Sequence, residues 1–318
     1  MLVFLRRKCY FCTARSLLGE KGEGFVKTDR LMKNKKWNLL LAAAALCALA
    51  SCGNAAKKQT NGEMKMENQC EKVTTEGRQT LQVGDVKVTW IKDNVGDKLM
   101  GRELFADAPD SLLESLSLQE GIPSTVSVFW VETDGVGILF DTGLGSPESG
   151  LLAGLDSLGV KPADVRYLYL THFHGDHIGG MIRDGKAVFP NAQVYASKAE
   201  YDAWMQMPDG QKAQVVKTME AYKDRLHLFD FDDVLPGNVV ALNGVGHTPG
   251  HTVYKAGKLL VVGDLVHGAA LQLPHPEYCA SYDMDKEAAV KVRRHFLQMA
   301  SADGLTMAGM HFPDPAFK

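Results

Sequence analysis

The chain has 318 residues, 45% of them hydrophobic, with a formal net charge of −3, which is enough to bury a core in one large or two small domains. The near-neutral total conceals an asymmetry: the first 51 residues carry ten Lys/Arg against three Asp/Glu, and the remainder carries 25 against 35. So acidic a body argues against a nucleic-acid partner, because that affinity rests on Lys and Arg displacing counterions from phosphates.

Residues 1–31 precede a complete export signal and read as an upstream start outside the fold. From Met32 the chain runs MKNKKWNLLLAAAALCALASC, a basic segment (Lys33, Lys35, Lys36) followed by 12 apolar residues from Leu39 to Ala50. That is the pattern of a signal peptide over 32–51, and it is too short for a membrane span of about 20 residues. Leu49-Ala50-Ser51-Cys52 resembles the lipobox of bacterial lipoproteins. The resemblance implies a lipid anchor to the membrane through Cys52 and, with Gly53 following, an outer-membrane destination in the bacterial cell envelope. An ordinary signal peptide with a chance cysteine is the alternative.

Residues 52–78 are polar and read as a flexible tether. Cys9 and Cys12 form a C-x-x-C without a partner pair, and Cys47 would leave with the signal. Cys70 and Cys279 remain, as two free thiols or as a disulfide that an oxidising envelope permits.

The compact domain is expected over 79–318. LQVGDVKVTWI alternates like a half-buried strand, and VSVFWVET and VGILFDTG are strand-like runs around an Asp134-Gly135 turn. LLAGLDSLG reads as a short helix closed by Gly159. VRYLYLT, QVYAS, VVALNG and KLLVVGD read as strands, and LTMAGMH as a last one. KAEYDAWMQM, QKAQVVKTMEAYKDRL and DKEAAVKVRRHFLQMASAD read as helices. Two series of strands, each followed by helices, predict an α/β fold of two packed sheets with helices outside.

All ten histidines lie between His172 and His311. THFHGDH leaves an apolar strand with His172 and His174 spaced to converge on one ion, while Asp176 and His177 can turn to a second. A mononuclear site has no need of four donors in six residues. His247 opens GHTPGH, and Asp264 and His311 each end an apolar strand.

In this order H-x-H-x-D-H, GHTPGH, GD and a late His resemble the metallo-β-lactamase superfamily, a resemblance running from about residue 80 to the end of the chain. It implies a four-layer αββα sandwich with His172, His174 and His247 on one divalent metal and Asp176, His177 and His311 on another. Asp264 would bridge the two. Zn is the foremost candidate, and Mn, Fe or Co also suit His/Asp donors. The implied chemistry is hydrolysis by a hydroxide shared between the metals, with Asp176 accepting its proton.

Asp264 stands where the true β-lactamases of that family carry Cys or His. A carboxylate there resembles glyoxalase II, the acyl-homoserine lactonases and the phosphotriester-cleaving branch. THFHGDHIGGM, DGKAVFPNA, DAWMQ, GDLVHGAALQLP and HFPDP resemble the methyl parathion hydrolase group in particular, although this chain stops a few residues after His311. That likeness suggests an aromatic substrate pocket at Trp204, with Phe173 a second candidate; Trp204 also fits a core position on an amphipathic helix. His267 stands where the lactonases place a Tyr that supports the substrate. It reads as an oxyanion donor or general acid, or as a pocket-edge histidine. Asp141 and Thr171 are expected to orient ligand imidazoles, and His251 to brace its loop.

The expected function is thus hydrolysis of small esters, lactones or phosphotriesters. The alternatives are a dedicated acyl-homoserine lactonase and an envelope lipoprotein that binds metal without turnover.

Overall fold

The computed structural model describes residues 73–75 and 77–318. The signal segment, the first part of the tether, and Cys9, Cys12, Cys47, Cys52 and Cys70 lie outside the described residues. Cys279 is buried and free.

An eight-stranded sheet is ordered Val73–Thr75, Arg78–Val83, Val86–Lys92, Ser127–Thr133, Val136–Phe140, Tyr167–Tyr169, Gln193–Ser197 and Leu226–Phe229. A five-stranded sheet holds Val234–Leu235, Val239–Asn243, Thr252–Ala256, Leu259–Gly263 and Thr306–Gly309. Strand Ser127–Thr133 shows why the first sheet needs cover on both faces. Phe129 and Val131 point into the core shared with Tyr254 and Val261 of the second sheet. Val128 and Trp130 point the other way, to a second core with Leu151, Leu155, Val215 and Met219 from the helices Leu151–Ser157 and Asp209–Ala221. Side chains alternate across a strand, so a run apolar at every position marks two buried faces. Helix Lys286–Asp303 covers the second sheet through Phe296 and Ala300. Its start is capped by the Asp285 carboxylate, which accepts from the Ala288 N–H at 3.0 Å, and its end by Gly304 at φ 59°, the left-handed corner that glycine takes without strain. The order of layers is helix, sheet, sheet, helix, the αββα sandwich.

Two local expectations need correction. The stretch read as one strand from Leu81 is a hairpin: Val83 pairs with Val86 across a two-residue turn that Gly84 enters at φ +61°, and such turns fit the twist of paired strands. The tether also ends earlier than expected, since Val73–Thr75 pairs antiparallel with Arg78–Thr80 around Gly77 at φ +71°. The Asp134-Gly135 turn is as predicted, with both residues at positive φ (47° and 76°), the primed geometry that joins tight hairpins.

One feature has no counterpart among the predicted elements. Strands Lys98–Met100 and Ile122–Ser124 pair into a small flap, rooted in a third core where Met100 and Ile122 meet Phe105 and Leu271.

Candidate metal centre

The donors gather where strands end. Tyr167–Tyr169 runs parallel to Val136–Phe140, and their ends deliver Thr171-His172 and Asp141 side by side. In the other sheet Leu259–Gly263 and Thr306–Gly309 are parallel and deliver Asp264 and His311. His247 comes from the loop before strand Thr252–Ala256. Carboxyl ends of parallel strands point their loops into one crevice, the usual place for a site in an α/β sheet.

Two donor sets form. His172, His174, His247 and Asp264 offer ligand atoms within 4.8 Å of one another, as do Asp176, His177 and His311. In the first set His247 Nε2 lies 3.2 Å from His172 Nε2 and 2.9 Å from His174 Nδ1. Asp264 stands between the sets: its oxygens lie 3.1 Å from His177 Nε2, 3.1 Å from His311 Nε2, 3.3 Å from His247 Nε2 and 3.6 Å from His172 Nε2.

The far side of each ring decides which nitrogen has the lone pair. His177 Nδ1 lies 2.7 Å from the Asp141 carboxylate, His247 Nδ1 3.0 Å from the Asp283 carboxylate, and His311 Nδ1 2.7 Å from the Thr125 carbonyl. These oxygens only accept, so each Nδ1 carries a proton, and the neutral ring turns the Nε2 lone pair inward. The Thr171 hydroxyl donates to Asp141 at 2.7 Å and so accepts from His172 Nδ1 at 3.0 Å, which sets the same tautomer.

Electrostatics divides the cluster. Burial holds the pKa of His172 well below the usual histidine value and that of His174 down to about 3, so both rings are neutral. Burial acts the same way on His177 but is outweighed by Asp264, Asp141 and Asp176, which raise its pKa well above the ordinary range; the proton this favours at Nε2 is the one a divalent ion would replace. On His247 it is outweighed by the bonds to Asp264 and Asp283, which raise the pKa to about 9. Burial would push Asp264 up, but His177, His311 and His172 carry it well below the carboxylate range.

A cation fits these residues. Imidazole nitrogens crowd at the centre, His172 Nε2 lying 3.0 Å from His174 Nδ1 and 3.2 Å from His247 Nε2, and one carboxylate cannot satisfy so many: His177 Nε2 and Asp264 Oδ1 lie 3.1 Å apart without hydrogen-bond geometry. Divalent ions resolve both problems at once. The His/Asp clusters can therefore hold metal ions.

Of the other predicted residues, Asp176 lies at the edge, 28% exposed, with Oδ2 3.5 Å from His311 Nε2. His267 is buried, stacks on His311 at 5.5 Å between ring centroids, and brings Nε2 to 3.3 Å from the Asp264 carboxylate, while its Nδ1 has no hydrogen-bond partner. His251 braces its loop, bonded at Nδ1 to the Gly244 carbonyl at 2.9 Å and accepting the Asp264 N–H at Nε2 at 3.0 Å. His227, His275 and His295 lie elsewhere, against Tyr195, Glu277 and Phe296.

The aromatic pocket is a correction. A cavity of about 420 Å³ opens over the centre, bordered by His174, Asp176, His267, Lys98, Met100 and Tyr282 among others, but not by Phe173 or Trp204. Phe173, between two inward histidines, turns into the core. The Trp204 indole N–H donates to Glu200 at 2.6 Å, and the ring packs edge-on behind His174. The aromatic at the cavity is Tyr282, on a loop with no motif.

Sequence reasoning also missed Glu200 and Asp283. Glu200 is the fourth residue of Ser-Lys-Ala-Glu, the pattern of a helix capping box. Ser197 does cap the helix, accepting the Glu200 N–H at 3.0 Å. The Glu200 carboxylate goes elsewhere, accepting from Phe173 N, Trp204 Nε1, Thr248 Oγ1 and Gly250 N. It ties the loop of His172 and His174 to the loop of His247. Asp283 joins His247 to the fully buried Arg293, 3.0 Å away, and no spacing signals it.

The sequence profile of the Metallo-beta-lactamase superfamily matches residues 121–311, and the chain belongs to that superfamily. The N-acyl homoserine lactonase AttM of Azorhizobium caulinodans is 29% identical over 192 residues, covering 54% of this chain and 68% of that protein. Among solved structures, hydrolase AbOPH in the beta lactamase superfamily matches with a TM-score of 0.68 at 31% identity, over 77% of this chain and 93% of that one. AidC, a dizinc quorum-quenching lactonase in complex with the product N-hexanoyl-L-homoserine, matches with a TM-score of 0.68 at 26% identity, over 76% and 92%. The protein is a metallo-hydrolase of this superfamily.

Proposed function

We propose that the protein is a binuclear hydrolase of small esters, lactones or phosphotriesters. The observation that carries this reading is Asp264, whose carboxylate lies within 3.1–3.6 Å of donors from both sets. His172, His174 and His247 would hold one ion, Asp176, His177 and His311 the other, and Asp264 both. Two divalent ions so held, zinc foremost, would supply a hydroxide nucleophile near neutral pH and polarise the oxygen under attack. Asp176, partly exposed at the cavity edge, would accept the nucleophile's proton. His267, neutral because burial lowers its pKa, borders the cavity beside Asp264 and is placed to meet the leaving group. Tyr282 and Met100 wall the substrate's apolar part.

A lactonase specialised for acyl-homoserine lactones is the second reading, favoured by the likeness to AttM and AidC. Metal content and kcat/KM toward an acyl-homoserine lactone, an aryl ester and a phosphotriester test both. A preference of about 100-fold for the lactone selects the second. Metal without turnover on any of the three ends both.

Asp141→Asn probes the ligand tautomers and is expected to weaken metal binding about 10–100-fold. Its amide would donate to His177 Nδ1, forcing the proton onto Nε2, while asparagine still accepts the left-handed backbone (φ 58°) found there. Competition with a chelating dye measures it, and unchanged affinity would remove His177 from the ligand set.

We further propose that the chain is an envelope lipoprotein held by an acyl group on Cys52, on the strength of its lipobox-like Leu49-Ala50-Ser51-Cys52. Cys52→Ser is expected to move the protein from the membrane to the soluble fraction. A wild-type protein that is already soluble contradicts the anchor.

A further inference from the structure

The geometry points to Lys98 as the residue that selects the substrate: it takes an anionic group, a carboxylate remote from the bond being cleaved. This inference rests on the hydrolase reading of the same site. Lys98 is the one lysine or arginine among the described residues bordering the cavity over the donors. It lies on the flap strand Lys98–Met100, whose alternation sends Lys98 and Met100 toward the cavity while Leu99 faces solvent, 56% exposed. Its ammonium has no partner among the described residues, and the adjacent Asp97 is bonded to Lys92 at 3.2 Å.

The flap is fastened to the centre. Lys98 pairs in register with Ser124, whose hydroxyl donates to the His311 carbonyl at 3.2 Å. The next residue, Thr125, donates through its hydroxyl to the Phe312 carbonyl at 2.6 Å and accepts from His311 Nδ1 through its own carbonyl. Lys98 is thereby fixed relative to a donor of the second set. An unpaired, half-buried cation on a fixed strand is poorly placed for an apolar substrate, because its charge must shed water without a counter-charge. A carboxylate on the substrate supplies the partner and orients the scissile bond toward Asp176 and His267.

The test compares 4-nitrophenyl hydrogen glutarate with neutral 4-nitrophenyl valerate on the full, metal-loaded chain. Wild type is expected to favour the anionic ester, and in Lys98→Ala the ratio of the two kcat/KM values falls about tenfold. Lys98→Glu lowers it further, Lys98→Arg preserves it, and salt erodes the wild-type preference. A ratio that Lys98→Ala leaves unchanged overturns the proposal.

Calorimetric titration with glutarate and its monomethyl ester separates this inference from the hydrolase reading. Both carry one carboxylate for the metals, and only glutarate has a second for Lys98. If neither nitrophenyl ester is cleaved, the hydrolase reading suffers, yet loss of glutarate's advantage in Lys98→Ala still supports the carboxylate site. An equal advantage in both proteins overturns it.

Discussion

Asp264→Ala is expected to reduce kcat/KM for the best substrate by about 10³-fold or more, roughly 4 kcal/mol of transition-state stabilisation, and to take bound metal from about two ions per chain to one or none. The reason is geometric. Remove any one histidine and its set keeps its other donors; remove Asp264 and both sets lose one. Elemental analysis and steady-state kinetics read the two effects separately. The fold should survive, because the core between the sheets is built from Val88, Phe129, Tyr254 and Val261 and owes nothing to the carboxylate. Two metals retained with activity intact would mean that Asp264 does not join the sets.

The sequence was legible where its signals were local. Asp134-Gly135 dictates its own turn, and the all-apolar VSVFWV announces a strand buried on both faces. The seven donors were legible because each sits at a strand end or in a tight turn, where the chain itself limits where the side chain can point. Residues acting across the fold left no such trace. Asp283 reaches His247 over 36 positions, and Lys98 meets the donors only because its flap is pinned to the segment of His311. Phe173 and Trp204 mislead for the opposite reason: both lie beside donors, Phe173 between two of them in sequence and Trp204 behind His174 in space. Alternation along the loop and an indole bonded to Glu200 turn them into the core.

Glu200 carries the second large effect, and here two forces must be weighed. Its carboxylate is almost wholly buried; burial raises its pKa, and the Thr248, Phe173, Gly250 and Trp204 donors offset the rise only in part. The negative charge itself therefore adds no stability, and what the residue contributes is acceptance of four buried donors. In Glu200→Ala all four lose their partner. At about 1 kcal/mol or more each, the loss reaches roughly 4 kcal/mol, a large share of the 5–15 kcal/mol typical of a folded domain. Glu200→Gln separates the forces. Its single carbonyl can serve Phe173 N and Trp204 Nε1, and the Thr248 hydroxyl can reverse to accept from the new amide, leaving only the Gly250 N–H unpaired. The expected cost is about 1–3 kcal/mol. Urea unfolding of the metal-free proteins should rank wild type above Gln and Gln above Ala. Metal affinity should fall in the same order, because Glu200 joins the loop of His172 and His174 to that of His247. A Gln variant as stable as wild type, or more so, would mean that the cost of burying the charge outweighs the hydrogen bonds, and the carboxylate would then need a role in the chemistry to account for its place.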